Sequence, residues 1–90
     1  MSTLSLKQSA ATAVFKLVLD ASEISYQHSE VFSTKKTIPY RQITGVFRDA
    51  ERCYIVWSSQ VAKFLHQPGN AEYAAFMEQL LARINASRGA

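Results

Sequence analysis

The sequence predicts an α+β fold: a small antiparallel β barrel or sandwich of six to seven strands, capped by one C-terminal amphipathic helix. Two observations lead to this prediction. Between residues 13 and 67, short segments rich in β-branched and aromatic residues alternate between apolar and polar positions, as half-buried strands do. After residue 70, apolar residues recur every three or four positions, as on one face of a helix. A run of strands followed by a helix is typical of this fold class.

Length and composition limit the chain to one small domain. It has 90 residues, of which 48% are hydrophobic, so a core can form but will be small. The formal net charge of +3 is well below that of a dedicated nucleic-acid-binding domain. Because Cys53 is the single cysteine, no internal disulfide can form. A core of this size often gains stability from oligomerisation or from a partner.

The N-terminal third predicts an arm and a hairpin. Residues 1–12 are rich in Ser, Thr and Ala, so we expect a flexible or loosely docked arm, with the domain spanning residues 13–88. Val14 to Asp20 and Glu23 to Ser29 each alternate over their length and predict two strands. The "DAS" that begins at Asp20 has the length and chemistry of a hairpin connection.

A proline separates the next two predicted strands. Ser33 to Ile38 suits a strand, but Pro39 lacks a backbone donor and fixes its φ angle. We therefore expect a tight bend over residues 39–42 and a new strand from Ile43 to Arg48, with Ile43 and Phe47 on one face.

Two further strands precede the helix. Cys53 to Ser59 is apolar on both faces, which is typical of a central strand covered on both sides. Val61 to Gln67 predicts a sixth strand, which the residues "PGN" end.

The last segment predicts an amphipathic helix with one broad apolar face. Asn70 is a suitable N-cap, and Glu72 lies in the first turn, where the helix dipole favours an anion. The predicted core face consists of Tyr73, Phe76, Met77, Leu80, Leu81 and Ile84.

With these elements in order, the chain resembles pleckstrin-homology-like domains of the small bacterial type. The resemblance covers roughly residues 14–84. It rests on "TIPYRQITGV", where Ile38, Pro39, Ile43 and Val46 have the family's spacing, and on the paired strands in "LVLDASEISY". It implies that Ile38, Pro39 and Ile43 form a structural corner between the third and fourth strands, with the isoleucine turned inward. It also implies that the helix plugs one open end of a strongly bent sheet.

The sequence departs from that family in two respects. We predict six strands where the full fold has seven, so either the N-terminal arm supplies one or the domain is trimmed. Members that bind phosphoinositides carry a basic motif in their first hairpin loop, but the corresponding "DASE" contains Asp20 and Glu23 and no base. Binding of a lipid headgroup through that loop is therefore not carried over.

The residue types that carry chemistry are sparse. Cys53 could be a nucleophile if a histidine stabilised its thiolate, but it begins a strongly apolar strand, where a buried thiol is inert. His28 and His66 have no Cys, Asp or Glu at metal-ligand spacing. The three glycines form no phosphate-binding loop. We expect no catalytic residue, no metal, no cofactor and no enzymatic activity.

Lys35, Lys36 and Arg41 are candidate contacts for an anion or a lipid. They belong to residues 33–63, which hold six bases and two acids. If the third and fourth strands are neighbours, the three side chains cluster at one corner. Such a cluster could attract an anionic membrane by about 1 kcal/mol per base. The alternative, which we favour, is that lysines on outer strands keep the sheet edges soluble.

The aromatic content favours an interaction surface. Four tyrosines, one tryptophan and five phenylalanines are many for so small a core, and Tyr and Trp are common where proteins meet. We expect a non-enzymatic module that acts through protein contacts or self-association, with no small-molecule substrate. Peripheral binding to an anionic membrane surface is one alternative, and weak nucleic-acid binding is a second.

The sequence also bears on location. No stretch approaches the roughly 18–20 apolar residues of a membrane-spanning helix. The first residues include Lys7 but no continuous apolar block, so they do not resemble a signal peptide. We therefore expect a cytoplasmic protein.

Overall fold

The structure, a computed structural model, describes residues 3–10, 13–29 and 33–89. It is an α+β fold with two antiparallel sheets and one C-terminal helix. The elements are β1 (Leu4–Ser9), β2 (Val14–Leu19), β3 (Glu23–Ser29), β4 (Ser33–Pro39), a one-turn 3₁₀ helix (Tyr40–Gln42), β5 (Ile43–Arg48), β6 (Arg52–Trp57), β7 (Gln60–Leu65) and α1 (Ala71–Gly89). One sheet has the strand order β1-β2-β3-β4, and the other has the order β5-β6-β7.

The alternation predicted for β2 and β3 is confirmed. Leu17 pairs with Tyr26, and Leu19 pairs with Ile24, and all four side chains are buried. Lys16, between the buried positions of β2, is exposed. One face of the four-stranded sheet therefore belongs to the core, and the other faces solvent.

The expectation of a flexible or loosely docked arm at residues 1–12 is wrong for residues 4–9. These residues form β1, which pairs with β2 from Leu4↔Leu19 to Ser9↔Val14. Leu6 and Gln8 point into the protein and are 3% and 2% exposed. The arm therefore supplies the seventh strand, which is one of the two possibilities that the sequence leaves open; the strand could not be assigned to residues because a buried glutamine breaks the apolar pattern. Residues 1, 2, 11 and 12 lie outside the described residues.

The predicted bend after Pro39 is confirmed. β4 is an edge strand and ends at Pro39, which pairs with Glu23, so the missing backbone donor of proline interrupts no inner ladder. The 3₁₀ helix follows, and its first residue, Tyr40, donates its backbone N–H to Ser22 O at 3.1 Å.

A β-bulge in β5 overturns the prediction that Ile43 and Phe47 share one face. Ile43 pairs with Trp57, but Gly45 pairs with Val56, so β5 uses one more residue than β6 over this stretch. The extra residue reverses the alternation beyond it. Ile43 is therefore buried at 1% exposure, whereas Phe47 points to solvent at 59% exposure.

The predicted strand from Cys53 to Ser59 ends earlier and is covered on one side only. Ser58 and Ser59 have φ angles of 43° and 63° and form the tight turn between β6 and β7. β6 is the central strand, with Cys53, Ile55 and Trp57 buried. Its other face is only half-buried.

The C-terminal helix α1 packs against the 3₁₀ helix and β1. Its start matches the prediction, because Asn70 Oδ1 accepts the Tyr73 N–H at 3.1 Å. Five of the six residues predicted for its core face are buried, namely Tyr73, Phe76, Met77, Leu80 and Ile84. The prediction is wrong for Leu81, which is 45% exposed because it lies at the margin of the apolar stripe. Arg83, at the opposite margin, is buried instead.

The two sheets do not close into a barrel. Of the two predicted architectures, barrel or sandwich, the barrel is therefore wrong. Side chains of the four-stranded sheet cover the edge of β7 instead of a neighbouring strand. Gln8 Nε2 donates to Leu65 O at 2.8 Å, and Leu65 N–H donates to Gln8 Oε1 at 2.9 Å. The Tyr26 hydroxyl donates to Lys63 O at 2.6 Å. These bonds satisfy backbone groups that a free edge would expose.

Candidate functional site

The outer surface of the three-stranded sheet carries two of the three large hydrophobic residues that are exposed in the described part of the chain, Phe47 and Val61. We call this surface the β5–β7 face. Two cross-strand rows form it: Phe47, Tyr54 and Lys63 in one, and Gly45, Val56 and Val61 in the other. Phe47 is 59% exposed and Val61 is 43% exposed, whereas Tyr54 and Val56 are half-buried. Four of these six residues therefore present apolar or aromatic side chains to solvent.

The ring of Phe47 is held against the backbone of Gly45. A Cβ atom at position 45 would lie 2.6 Å from Phe47 Cε2 and 2.7 Å from Phe47 Cζ. Only a glycine leaves room for this position of the ring. The most exposed aromatic side chain of the face therefore has a defined place on the sheet.

A hydrogen-bonded turn lies at one end of the same face. Asp49 Oδ1 accepts the backbone N–H groups of Glu51 and Arg52 at 2.8 and 2.7 Å, and Asp49 Oδ2 accepts the Tyr54 hydroxyl at 2.7 Å. The hydrogen bond from Tyr54, with those two backbone bonds, lowers the pKa of Asp49. The same carboxylate raises the pKa of Tyr54. The turn thereby fixes Tyr54 on the face.

The outer surface of the four-stranded sheet has the opposite character. Lys7 pairs with Lys16, Lys16 with Gln27, and Gln27 with Lys35. Three lysines therefore lie in register in one row across the strands, which we call the lysine row. Lys7 and Lys35 lie on the two edge strands of this sheet, where lysines prevent pairing with another sheet.

The structure does not bring the predicted basic residues Lys35, Lys36 and Arg41 into one cluster. Lys35 is exposed in the lysine row, whereas Lys36, the next residue of β4, points to the opposite face. The Lys36 Nζ atom lies 5.5 Å from the centroid of the Trp57 ring. Arg41 lies in the 3₁₀ helix and lines a separate cleft of about 520 Å³ near Arg83.

The predicted corner residues lie where two strands and the helix meet. Ile38 and Ile43 are 0% and 1% exposed. Beside them, the Tyr40 hydroxyl donates to Asp20 O at 2.7 Å, and Arg83 Nη1 donates to the same oxygen at 3.1 Å. Burial raises the pKa of Tyr40, and the hydrogen bond with Arg83 partly offsets that rise. These bonds tie α1 to the β2–β3 turn, which makes the corner a structural element.

Cys53 lies in a buried polar cluster between the sheet and the helix. It is fully buried, and burial raises the pKa of its thiol, so the thiol is protonated at neutral pH. Desolvation raises the pKa of Tyr73, whose hydroxyl lies 2.7 Å from His66 Nδ1. A protonated, inaccessible thiol is a poor nucleophile. Cys53, Tyr73 and His66 therefore join α1 to the three-stranded sheet.

His28 lies on the core-facing side of β3 and is half-buried. Its ring stacks on that of Phe15, with the ring centroids 4.7 Å apart and the planes 14° apart. Across residues 3–10, 13–29 and 33–89, no three His, Cys, Asp or Glu side chains are close enough to hold a metal ion.

Sequence reasoning missed the residues that define the β5–β7 face. The sequence predicts Phe47 on the same face of β5 as Ile43 and Tyr54 in a strand covered on both sides, and it places Val61 on no particular surface. Gly45 was the available signal, because a glycine inside a strand often marks a bulge.

Comparison of the chain with known protein families, curated proteins and solved structures gives no match. The helix in the described part of the chain is not long and apolar enough to cross a bilayer.

Proposed function

We propose that the chain is a non-enzymatic, pleckstrin-homology-like module that self-associates through the β5–β7 face. Four plus three antiparallel strands and one C-terminal helix support the family resemblance. Phe47, exposed on an apolar face and packed over Gly45, is the observation that carries the functional part. The burial and protonation of Cys53 support the absence of catalysis.

The contrast between the two outer sheet surfaces supports an interface on the β5–β7 face. The four-stranded sheet exposes lysines and serines, which is the usual polar composition of a protein surface. The three-stranded sheet exposes Phe47 and Val61 next to Tyr54 and Val56. Contiguous apolar groups on one surface of a small domain mark a site of contact with another molecule.

The ring of Phe47 already lies across Gly45 in the monomer and fills the space that a Cβ atom would occupy. A partner that packs on the β5–β7 face therefore meets an aromatic ring that rests on the surface of the sheet.

A second copy of the chain is the occupant that this face fits. A two-fold axis parallel to β6 would place β5 of one copy over β7 of the other. Phe47 and Lys63 belong to the same cross-strand row, on opposite edge strands. The axis would therefore set each Phe47 ring against the stem and ammonium of the other copy's Lys63, a cation–π arrangement.

The size of the face sets the strength of this association. β5, β6 and β7 have six residues each, so each strand is about 20 Å long and the three span about 14 Å. The face offers about 300 Å² in projection and, with side-chain relief, about 500 Å² of accessible surface. A standard interface buries about 800 Å² per partner. We therefore expect a weak, reversible dimer with a Kd of micromolar order or above.

Sedimentation equilibrium of matched variants over a concentration series tests the proposal. We expect wild type to pass from monomer to dimer, and Phe47→Glu to weaken the dimer by at least about tenfold, because a buried unpaired carboxylate is strongly unfavourable. Leu81→Glu is the control, since Leu81 is an exposed apolar residue on α1. A wild-type chain that stays monomeric up to millimolar concentration contradicts the proposal. Equal losses in the two variants would also contradict it.

The lysine row supports a second candidate function, peripheral binding to an anionic membrane surface. Three lysines in register could attract anionic lipid by about 3 kcal/mol in total, which is enough for transient contact. Cosedimentation with vesicles of phosphatidylserine and phosphatidylcholine at low and high salt tests it. Lys16→Gln should reduce the bound fraction of protein, and Gln27→Glu, which adds a negative charge to the row, should reduce it further. Binding that is unchanged in both variants excludes the lysine row.

A further inference from the structure

A cleft of about 460 Å³ opens between the core-facing side of the four-stranded sheet and the strand β7. We call it the basic cleft. Lys36, Arg52 and Lys63 contribute three positive charges to its lining, with the half-buried His28 beside them. None of the described residues that line it is acidic. This concentration of positive charge was not visible in the sequence, where the three residues are widely separated.

The register and one hydrogen bond bring these charges together around Tyr26. Lys36 of β4 pairs directly with Tyr26 of β3. The Tyr26 hydroxyl reaches across the cleft and donates to Lys63 O at 2.6 Å. On the three-stranded sheet, Arg52 pairs with Leu65, two residues beyond Lys63, so Arg52 and Lys63 are diagonal neighbours.

The position of Arg52 near Tyr26 has independent support. Burial raises the pKa of Tyr26, and the hydrogen bond to Lys63 and the positive charge of Arg52 oppose that rise. The guanidinium of Arg52 therefore lies near the phenol that lines the cleft with Lys36 and Lys63.

The rest of the lining gives the cleft a rigid floor. The Phe15 and His28 rings stack at a centroid distance of 4.7 Å, and Phe15 and Tyr26 are 2% and 5% exposed. Lys36 rests against Trp57, with its Nζ atom 5.5 Å from the ring centroid. Lys36 therefore has a defined position beside this floor, whereas Arg52 and Lys63 are exposed at the mouth of the cleft.

We propose that the basic cleft binds a phosphate-bearing anion, a phosphomonoester or a diphosphate. Its oxygens can accept from several directions, which suits one planar guanidinium and two ammonium groups that approach from different strands. A singly charged carboxylate would compensate fewer of the charges of Lys36, Arg52 and Lys63. The phosphate could belong to a free metabolite or to a lipid headgroup.

Titration of the full chain with pyrophosphate, followed by isothermal calorimetry, tests the proposal. The β5–β7 face shares Lys63 and Val61 with the cleft. The protein concentration is therefore kept below that at which sedimentation shows association, so that a second copy does not compete for Lys63. We expect saturable binding that weakens as salt is added. Lys36→Gln and Arg52→Gln should each weaken it by about tenfold, since each removes a charge-assisted hydrogen bond.

Lys35→Gln is the matched control. Lys35 and Lys36 are adjacent in β4 and carry the same charge, but Lys35 points to the outer face. The two variants therefore change net charge equally, and circular dichroism establishes that both are folded. We expect Lys35→Gln to bind pyrophosphate like wild type. Equal losses in the Lys35 and Lys36 variants, or no saturable binding to wild type, overturn the proposal.

Vesicles of phosphatidylcholine with and without phosphatidic acid, which exposes a phosphomonoester, distinguish the two sources of phosphate. Binding to phosphatidic acid that requires Lys36 and is displaced by pyrophosphate assigns the basic cleft to a headgroup. Pyrophosphate binding that requires Lys36, without such vesicle binding, assigns it to a free phosphate. Both outcomes support the proposal. Vesicle binding that requires Lys35 and not Lys36, together with no pyrophosphate binding, contradicts it.

Discussion

Gln8→Met tests whether one side chain replaces a neighbouring strand at the edge of β7. Gln8 is 2% exposed and exchanges two hydrogen bonds with the backbone of Leu65. Its Nε2 atom also donates to Gln67 Oε1 at 3.1 Å. Methionine has a similar length and volume, so the substitution removes these polar contacts and preserves most of the packing.

The expected loss follows from the groups left without these bonds. Gln8→Met deprives both the N–H and the C=O of Leu65 of a partner. An unpaired buried polar group costs about 1–3 kcal/mol. Because Leu65 is half-buried and water can reach it in part, we expect the low end of that range for each group, about 2–3 kcal/mol in all. A domain of this length has a free energy of unfolding of about 5–13 kcal/mol. The substitution therefore removes a large fraction of the stability.

Urea denaturation measures this loss as a lower midpoint at unchanged slope. Lys7→Met is the control, because Lys7 is the exposed neighbour of Gln8 in β1, and surface changes usually stay within about 0.5 kcal/mol. Hydrogen exchange of the Leu65 amide should accelerate in Gln8→Met alone. Equal stability of the two variants, with unchanged protection of the Leu65 amide, would refute this account of the β7 edge.

Three further predictions concern the turns and the bulge. Gly45→Ala should displace the Phe47 ring and change stability by less than about 1 kcal/mol, since an exposed ring can move away; the ring-current shift of the residue 45 amide reports the displacement. The pKa of Asp49 is lower in the folded protein than its ordinary value of 3.8. Its carboxylate therefore contributes fully to the free energy of unfolding above pH 3.8, and the contribution is lost as the pH falls through the lowered pKa. Asp49→Asn should therefore flatten the acid side of a plot of unfolding free energy against pH. Replacing Ser58 with Asn and Ser59 with Gly should raise the free energy of unfolding by about 1 kcal/mol in thermal or urea denaturation, because both serines have positive φ angles. An unchanged free energy of unfolding would show that the positive φ angles of the two serines do not destabilise the turn.

The parts of the fold that depend on local patterns could be predicted from the sequence. Alternation located β2 and β3, and the three-to-four spacing located α1 with Asn70 as its N-cap. Pro39 predicted the bend because proline lacks a backbone donor, which is a property of the residue itself.

The parts that depend on distant residues could not be predicted. The position of β1 could not be assigned, because Gln8 becomes a buried residue only when Leu65, far along the chain, supplies its hydrogen bonds. The exposure of Phe47 is a local effect instead. It depends on one extra residue in β5, which a period-two pattern alone does not reveal and for which Gly45 was the signal.

The separation of Lys35 from Lys36, by contrast, could have been inferred from the sequence. Adjacent residues of a strand point to opposite faces, so a strand at residues 33–38 already placed the two lysines on different surfaces. The position of Lys36 close to Arg52 and Lys63 could not have been inferred from the sequence, because it depends on how the two sheets meet.

A dilution series of ¹H–¹⁵N NMR spectra tests self-association through the β5–β7 face most directly. It reports, residue by residue, which amides change environment as copies meet. We expect concentration-dependent shifts at Gly45, Phe47, Tyr54 and Val61, and constant positions for Lys7 and Lys16 on the outer surface of the other sheet. Spectra that do not change from micromolar to millimolar concentration, or shifts confined to the four-stranded sheet or to α1, would contradict the account.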